Sequence, residues 1–288
     1  MTTVARPGDL GTVACLGDVM LDVLVRASRS LVPDDDVPAH ISFTAGGQAA
    51  NVAAWVCTLG GKARLFGPTD GSEAGSAVRR SLEAHGVEVQ QTRSGHVGTV
   101  VSVVVDGTRS LASDLPDVTW LDEVAAGGWL DDARWLFVSG YALLRSPDPT
   151  RLVQIAAVAR AMGTRVAVDL ASASMIRRFG ARAFSDLCGR LRPEAVFATD
   201  DEWATYPDGF GVSHATALVL KHGAAGATFR AGGVTVDRSA PTEPVDVTGA
   251  GDALAAGYLI GGVDLAMEAA ARCVAQVGAQ PAPPVTPQ

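Results

Sequence analysis

Residues 244–256 read PVDVTGAGDALAA, and they place a run of small residues directly before an apolar segment. Gly249, Ala250 and Gly251 are small enough for their backbone N–H groups to turn toward one point. The apolar run that begins at Ala253 predicts a helix. Because the N-terminus of a helix carries partial positive charge and unpaired N–H groups, this junction predicts a binding site for an anion such as phosphate.

Asp252 lies in the predicted first turn of that helix. A carboxylate beside an anion site is placed to take a proton from an attacking hydroxyl, as phosphoryl transfer requires. The same position is typical of an aspartate that caps a helix after a glycine turn. Because short glycine motifs recur by chance, the loop alone leaves both interpretations open.

The composition indicates a large α/β domain with one main core, since 48% of the 288 residues are hydrophobic. A formal net charge of −8 argues against a nucleic-acid partner and against an anionic membrane surface. The most apolar late segment, residues 253–263, is too short for a membrane span, which needs about 20 residues. We therefore expect a protein that binds small molecules and neither nucleic acid nor membrane.

The cysteines and the N-terminus predict a cytoplasmic location. The cysteines show no CxxC pairing and lie in apolar surroundings, which is typical of buried free thiols in a reducing compartment. The first 17 residues contain no long apolar region followed by a cleavage site of small residues, so they do not resemble a signal peptide.

Strand and helix patterns alternate along most of the chain with short connections. Strands are predicted over residues 12–17, 62–66, 135–138, 165–170, 195–198 and 218–222, with a hairpin over residues 227–236. Helices are predicted over residues 76–85 and 149–162 and over most of residues 175–191, and residues 45–59 open with two glycines and then become a helix. This alternation predicts an α/β fold, a doubly wound and mostly parallel sheet with helices on both faces.

A smaller unit is predicted where the hydrophobic period changes. Residues 96–105 and 108–112 form two strand patterns joined at Asp106 and Gly107, a strong hairpin signal. Together with residues 25–44, residues 96–112 predict a small β-sheet lid over a site on the core. That core comprises residues 1–24, 45–95 and 113–280, and residues 281–288 are expected to form a flexible tail. The edges of the lid invite pairing with a second copy, so a homodimer through the lid is expected.

Polar residues near the first strand and the first helix are candidates for ligand contacts. Ligands of open α/β sheets bind outside the carboxyl ends of strands, where Asp22 can accept hydrogen bonds from sugar hydroxyls. Gly46 and Gly47 permit a ligand to approach the backbone closely, and Asn51 offers both donors and acceptors.

Taken in order, these motifs resemble the ribokinase-like, or PfkB, family of carbohydrate and nucleoside kinases. Residues 246–252 (DVTGAGD) are similar to the family's DTxGAGD signature. Gly46, Gly47 and Asn51 resemble its N-terminal glycine and asparagine pattern, and Asp22 falls where members hold substrate hydroxyls. The resemblance covers most of the chain and implies a ribokinase-like three-layer fold with a small β-sheet lid. It also implies an ATP-dependent kinase that acts on a small-molecule hydroxyl.

The resemblance also implies roles for individual residues. It implies that Asp252 is the general base, and that the amides of Gly249 to Asp252 bind the developing negative charge. Glu202 resembles a residue that holds Mg²⁺ through water, and Asp246 one that helps to form a monovalent-cation site, with K⁺ as the candidate ion. Substrate contacts are implied for Asp22, Gly46, Gly47, Asn51 and Asp252, and nucleotide contacts for Lys221, Gly223, Gly226, Thr248, Gly249 and Gly251.

Departures from the family pattern leave the substrate open. Gln48 stands where ribokinase-like members carry a lysine, and Met20 replaces an asparagine that would reach a pentose. A sugar or sugar derivative is the first alternative. A nucleoside is the second, and its base would stack on a residue such as Phe43, His40 or Tyr141.

A third alternative is a catalytically degenerate sugar-binding or regulatory module. Thr199 stands where the family's NxxE motif begins with asparagine, and the region 267–278 is shorter than in a typical ribokinase. The presence of Asp252 argues for the enzyme.

Overall fold

The computed structural model describes residues 10–90, 92, 95–105, 108–115, 118–124, 128–146, 148–206, 216–240 and 244–282. The strands are β1 Thr12–Leu16, β2 Met20–Ala27, β3 Ala39–Gly46, β4 Lys62–Phe66, β5 Glu88–Gln90, β6 Gly98–Val105, β7 Thr108–Asp114, β8 Ala133–Ser139, β9 Arg165–Asp169, β10 Ala195–Thr199, β11 Ala217–Lys221, β12 Ala227–Ala231 and β13 Val234–Arg238. The α-helices are α1 Gln48–Thr58, α2 Glu73–Ala84, α3 Gly140–Arg145, α4 Thr150–Ala161, α5 Ala173–Phe179, α6 Ala181–Leu191, α7 Asp200–Trp203, α8 Ala250–Gly261 and α9 Val263–Val274.

The larger sheet has nine strands in the order β13-β12-β11-β10-β9-β8-β1-β4-β5. From β11 to β5 all pairings are parallel, whereas β12 and β13 form an antiparallel edge. All five residues of β1 are buried, as its unbroken apolar sequence predicts for a strand covered on both faces. The carboxyl ends of the parallel strands therefore meet at one edge of the sheet, where the candidate site lies.

Helices cover both faces of this sheet, and each face has its own hydrophobic core. Alternate residues of β1 enter the two cores: Val13 and Cys15 pack with α1, α8 and α9, and Ala14 and Leu16 pack with α4 and α6. The predicted doubly wound, mostly parallel sheet with helices on both faces is confirmed.

The smaller sheet has four strands in the order β3-β2-β6-β7. Its β2 pairs antiparallel with β3 and parallel with β6, and β6 pairs antiparallel with β7. The hairpin turn predicted at Asp106 and Gly107 lies outside the described residues, as do residues 283–288 of the predicted tail. One face of this sheet is apolar, and on it Ile41 and Phe43 are 52% and 67% exposed.

Several helix boundaries differ from the sequence prediction for local reasons. The helix predicted from residue 76 begins at Glu73, because the Ser72 hydroxyl caps it by accepting a hydrogen bond from the Gly75 N–H at 3.0 Å. The helix predicted over residues 175–191 is two helices, α5 and α6, separated at Gly180 with a φ of 102°. Within the described residues, no helix is long and apolar enough to cross a membrane.

Candidate functional site

The N-terminus of α8 lies at the centre of the candidate site. Gly249 is the residue before the helix and has a φ of 78°, a conformation that favours glycine. A Cβ at Gly249 would lie 2.5 Å from the Ala279 Cβ, and a Cβ at Gly251 would lie 3.2 Å from the Lys221 Cδ. Close packing therefore favours small residues on two sides of this loop, at a helix N-terminus, which is the kind of position that can bind an anion.

Asp246 holds the loop that leads into α8. Its Oδ1 accepts hydrogen bonds from the Thr248 N–H at 2.9 Å and the Thr248 hydroxyl at 2.6 Å. Its Oδ2 accepts one from the Gly278 N–H at 3.0 Å. The carboxylate thus ties the signature loop to the segment after α9, which accounts for an aspartate here with or without a bound cation.

Asp252, in the first turn of α8, has an unusual protonation equilibrium. Burial raises the pKa of its carboxyl to about 7 against a hydrogen bond from Asn51 that lowers it, and the charge of Asp169 raises it further. A carboxyl that titrates near neutral pH can both accept and release a proton under physiological conditions.

Asn51 connects α1 to α8 through a short hydrogen-bond chain. Its Nδ2 donates to Asp252 Oδ2 at 2.8 Å, and its Oδ1 accepts from Gln280 Nε2 at 2.7 Å. The Oε1 atom of the buried Gln280 has no hydrogen-bond partner among the described residues. Since buried polar atoms are nearly always satisfied, this acceptor is a candidate contact for a ligand hydroxyl.

Asp22 and the paired glycines lie where the small sheet meets the core. A Cβ at Gly46 would lie 2.3 Å from Asp22 Oδ2, so glycine makes room for this carboxylate. Gly47 has a φ of 96°, and a Cβ there would lie 2.4 Å from the Asp18 carbonyl oxygen. The glycine pair therefore lets β3 and α1 pack against the loop after β1.

Asp18 follows β1 and has no predicted role, but the structure gives it defined partners. Its Oδ1 accepts from the Ser139 hydroxyl at 2.9 Å, and its Oδ2 accepts from the Gln48 N–H at 3.2 Å. Burial, and then the charge of Asp18, raises the pKa of the neighbouring Tyr141 to about 12. β1 and β8 are parallel neighbours, so their carboxyl ends lie side by side. The polar residues at these two strand ends were the sequence pattern that could have predicted the contact between Asp18 and Ser139.

Lys221 forms a buried ion pair with Asp169 that the sequence did not predict. Lys221 Nζ lies 2.7 Å from Asp169 Oδ2, and the Asp169 side chain is fully buried. Burial alone lowers the pKa of Lys221, but the charges of Asp169 and Glu202 raise it above its usual value. The ammonium group is therefore kept charged beside Gly251, at the N-terminal end of α8.

Glu202 lies in α7, and Thr199 is the residue that caps the N-terminus of this helix. The Thr199 N–H donates to Glu202 Oε2 at 2.8 Å, and the Glu202 N–H donates to the Thr199 hydroxyl at 3.3 Å, which is a capping box. Threonine thus has a structural reason to replace the family's asparagine. Burial raises the pKa of Glu202, and Lys221 opposes this shift.

Two cavities flank the loop that leads into α8. The first, of about 320 Å³, is mostly apolar and brings together Lys221, Gly223 and Gly226. Its remaining lining residues include Thr199, Val247, Leu254, Met267, Ala270 and Val274. The second, of about 720 Å³, lies under the small sheet and reaches Asp22, Thr248 and Gln280.

The comparisons with known proteins identify the family. The family model described as pfkB family carbohydrate kinase matches residues 11–281. The chain belongs to this family. It is accordingly a phosphotransferase with an alcohol group as acceptor.

Two relatives among known proteins match most of the chain, and one of them is a kinase by name. The chain is 31% identical over 293 residues to the ATP-dependent ribose-1-phosphate kinase of Halopiger xanaduensis, covering 94% of each chain. It is 33% identical over 274 residues to the bifunctional protein HldE of Halorhodospira halophila, covering 88% of this chain and 56% of that protein.

Solved structures confirm the ribokinase-like fold. A probable sugar kinase from Rhizobium etli superposes with a TM-score of 0.80 at 24% identity, covering 94% of this chain and 95% of the other. Ribokinase from Thermotoga maritima gives a TM-score of 0.73 at 16% identity, covering 94% and 95%.

Proposed function

We propose that this kinase transfers the γ-phosphate of ATP to a hydroxyl of a sugar or sugar derivative, with Asp252 as the general base. The observation that carries the proposal is the Asp252 carboxyl itself. Burial raises its pKa to about 7, Asn51 donates a hydrogen bond to it at 2.8 Å, and it lies in the first turn of α8, where the proposed anion site would be.

The two cavities suggest how the substrates would be arranged. The apolar cavity suits the nucleotide base, and the lysine on its wall suits the phosphates that would extend toward α8. The polar cavity beside Asp22, Thr248 and Gln280 suits the sugar. In this arrangement the acceptor hydroxyl and the γ-phosphate would meet at Asp252.

Each residue of the site would contribute to the transfer in a different way. Asp252 would take the proton of the attacking hydroxyl, while the amides of Gly249 to Asp252 would bind the negative charge that develops on the phosphoryl oxygens. Lys221, held in place by Asp169, would add a fixed positive charge beside Gly251. Asp22 and Asn51 would orient the sugar hydroxyls.

The charges around Lys221 fit a bound divalent cation. The carboxyls of Asp169, Glu202 and Asp252 all act electrostatically on this one ammonium group, so positive charge is in deficit. We propose that Glu202 holds Mg²⁺ through water, because one of its oxygens already accepts the Thr199 N–H. Bound Mg²⁺ would offset the charge of the phosphates. Beside Asp246 we propose K⁺, to be tested by exchanging K⁺ for Na⁺ in the assay.

Substitution of the proposed base tests the proposal. Asp252→Asn should fold normally and lose about 10²- to 10⁴-fold in kcat, as removal of a general base does. Asp264→Asn is the matched control, because Asp264 also lies in the first turn of a helix but its side chain is 93% exposed. An Asp252→Asn enzyme with near-normal turnover would refute the base assignment.

A ligand panel separates the alternatives for the substrate. Pentoses, hexoses, sugar phosphates and nucleosides are compared by thermal shift and by ADP release with ATP. Turnover of nucleosides alone would favour a nucleoside kinase. Sugar binding without ADP release would favour a degenerate binding module.

We also propose a homodimer formed through the small sheet, and a cytoplasmic location. The dimer proposal is supported by the apolar face around Ile41 and Phe43, which is exposed in the single chain. Cys15, Cys57, Cys188 and Cys273 are all free thiols, as a reducing compartment predicts.

A further inference from the structure

The polar face of the small sheet carries three successive rows of side chains, and all of their residues except His40 line the 720 Å³ cavity. Strand register defines the rows, because residues opposite each other on neighbouring strands share a face. The first row is Thr44, Asp22 and Val100, the second is Ser42, Leu24 and Ser102, and the third is His40, Arg26 and Val104. Adjacent rows lie about 6.6 Å apart, since alternate residues of a strand are two rises apart.

The chemistry of these rows changes along the cavity. The first row presents the Asp22 carboxylate, an acceptor for hydroxyl groups, at the end that also contains Thr248 and Gln280. The second row presents two serine hydroxyls. The third presents the guanidinium of Arg26, which is always charged. The cavity therefore accepts hydroxyls at one end and offers hydrogen-bond donors at the other.

Arg26 has no acidic partner in the described part of the chain, although the chain has an excess of acidic residues. Acidic residues outnumber lysine and arginine by 31 to 23. Even so, no acidic side chain within the described part of the chain forms an ion pair or hydrogen bond with Arg26. Arg29, only three residues further on, does pair with Asp35 at 2.7 Å.

The wall opposite the sheet adds another donor. His85, at the end of α2, lines the same cavity, and burial lowers the pKa of its imidazole. Burial thus favours the uncharged imidazole, which still carries one N–H donor. With Ser42 and Ser102, Arg26 and His85 form a set of donors that suits a phosphate monoester.

We propose that the distal half of this cavity, defined by Arg26, Ser42, Ser102 and His85, binds a phosphate group already present on the sugar. The inference rests on the proposed kinase function and names its substrate class, a sugar phosphate. The phosphate would lie at the second and third rows, about 7 to 13 Å from the Asp22 row along β2. A hydroxyl remote from that phosphate would then be the one presented to Asp252.

Matched substrate pairs test the subsite. Ribose is compared with ribose 1-phosphate and ribose 5-phosphate, and fructose with fructose 6-phosphate, by ADP release from the full chain. We expect a phosphorylated member to be preferred in kcat/KM. Arg26→Gln should raise KM for that substrate about 10- to 100-fold, the value of a charge-assisted hydrogen bond, with little change in kcat. Its kinetics with the unphosphorylated partner should not change.

Arg29→Gln is the matched control, because Arg29 lies outside the cavity and its ion pair with Asp35 is exposed. It should leave KM for both members of each pair unchanged. Thermal shift with the same sugar phosphates gives a readout that does not need turnover, and the shift should shrink in Arg26→Gln.

Two outcomes overturn the subsite while leaving the kinase proposal intact. One is turnover of unphosphorylated sugars only. The other is an Arg26→Gln enzyme whose kcat/KM falls equally for both members of a pair. By contrast, absence of ADP release with every sugar, despite a thermal shift from sugar phosphates that Arg26→Gln abolishes, would support the subsite and refute the kinase proposal.

Discussion

Asn51→Ala should move the pH dependence of the reaction toward higher pH. In the wild type the Asn51 Nδ2 donates to Asp252 Oδ2 at 2.8 Å, and this bond favours the ionised carboxylate. Removing a hydrogen bond to a charged group costs about 1.5 to 3 kcal/mol, and one pKa unit corresponds to about 1.4 kcal/mol. The pKa of Asp252, about 7 in the wild type, should therefore rise by about 1 to 2 units.

The consequence is a loss of ionised base at neutral pH that alkali restores. A group with a pKa of about 7 is about half ionised at pH 7, and a rise of 1 to 2 units leaves about 1 to 10% ionised. The acidic limb of the profile of kcat/KM against pH reports the pKa of the free enzyme. It should shift upward by the same 1 to 2 units, with activity approaching a plateau above pH 9.

The shape of the profile separates this effect from loss of a substrate contact. If Asn51 only binds sugar, kcat/KM falls by one factor at every pH and the midpoint of the limb stays in place. Gln48→Ala is the control for loss of a ligand contact alone, since Gln48 lies on the same helix and makes no hydrogen bond to Asp252; its midpoint should equal that of the wild type. A midpoint that is identical in Asn51→Ala and the wild type would refute the reasoning.

Three further predictions concern stability, the ion pair and assembly. Folding raises the pKa of Asp252 from 3.8 to about 7, so stability is lost as the pH rises through that range; Asp252→Asn should therefore have a higher Tm than the wild type at pH 8, by a difference that shrinks at pH 5, and an equal Tm at pH 8 would contradict this. Asp169→Asn should lower kcat more than KM because Lys221 loses its buried partner, and steady-state kinetics on protein with native circular dichroism will check this; a rise in KM alone would count against it. Phe43→Glu should convert a dimer to monomer in size-exclusion chromatography, and a monomeric wild type would remove the basis for this prediction.

Local sequence was sufficient to predict the main elements of the large sheet and the loop before α8. The run from Thr12 to Leu16 is apolar at every position, and only a strand covered on both faces accommodates that pattern in an alternating chain. The glycines of the signature loop also indicated a helix N-terminus, which α8 provides. In each of these cases the sequence pattern that carries the prediction spans only a few consecutive residues.

The contacts that were missed join distant parts of the chain. Asp169 and Lys221 are 52 residues apart, and Asp18 and Ser139 are 121 apart. Their pairing depends on the order of strands in the sheet, which periodicity does not give. The break at Gly180 was also missed, because helix propensity is high on both sides and one glycine is tolerated within a helix.

Detection of the reaction product tests the central claim most directly. The chain is incubated with ATP, Mg²⁺ and the sugar or sugar phosphate that gives the largest thermal shift, and the products are analysed by ³¹P nuclear magnetic resonance. We predict a new phosphate ester formed in equal amount to ADP by the wild type and by Asp264→Asn, and almost none by Asp252→Asn. Release of inorganic phosphate without a new ester, or equal ester formation by Asp252→Asn, would contradict the proposal that the enzyme transfers the phosphate from ATP to a sugar hydroxyl with Asp252 as the general base.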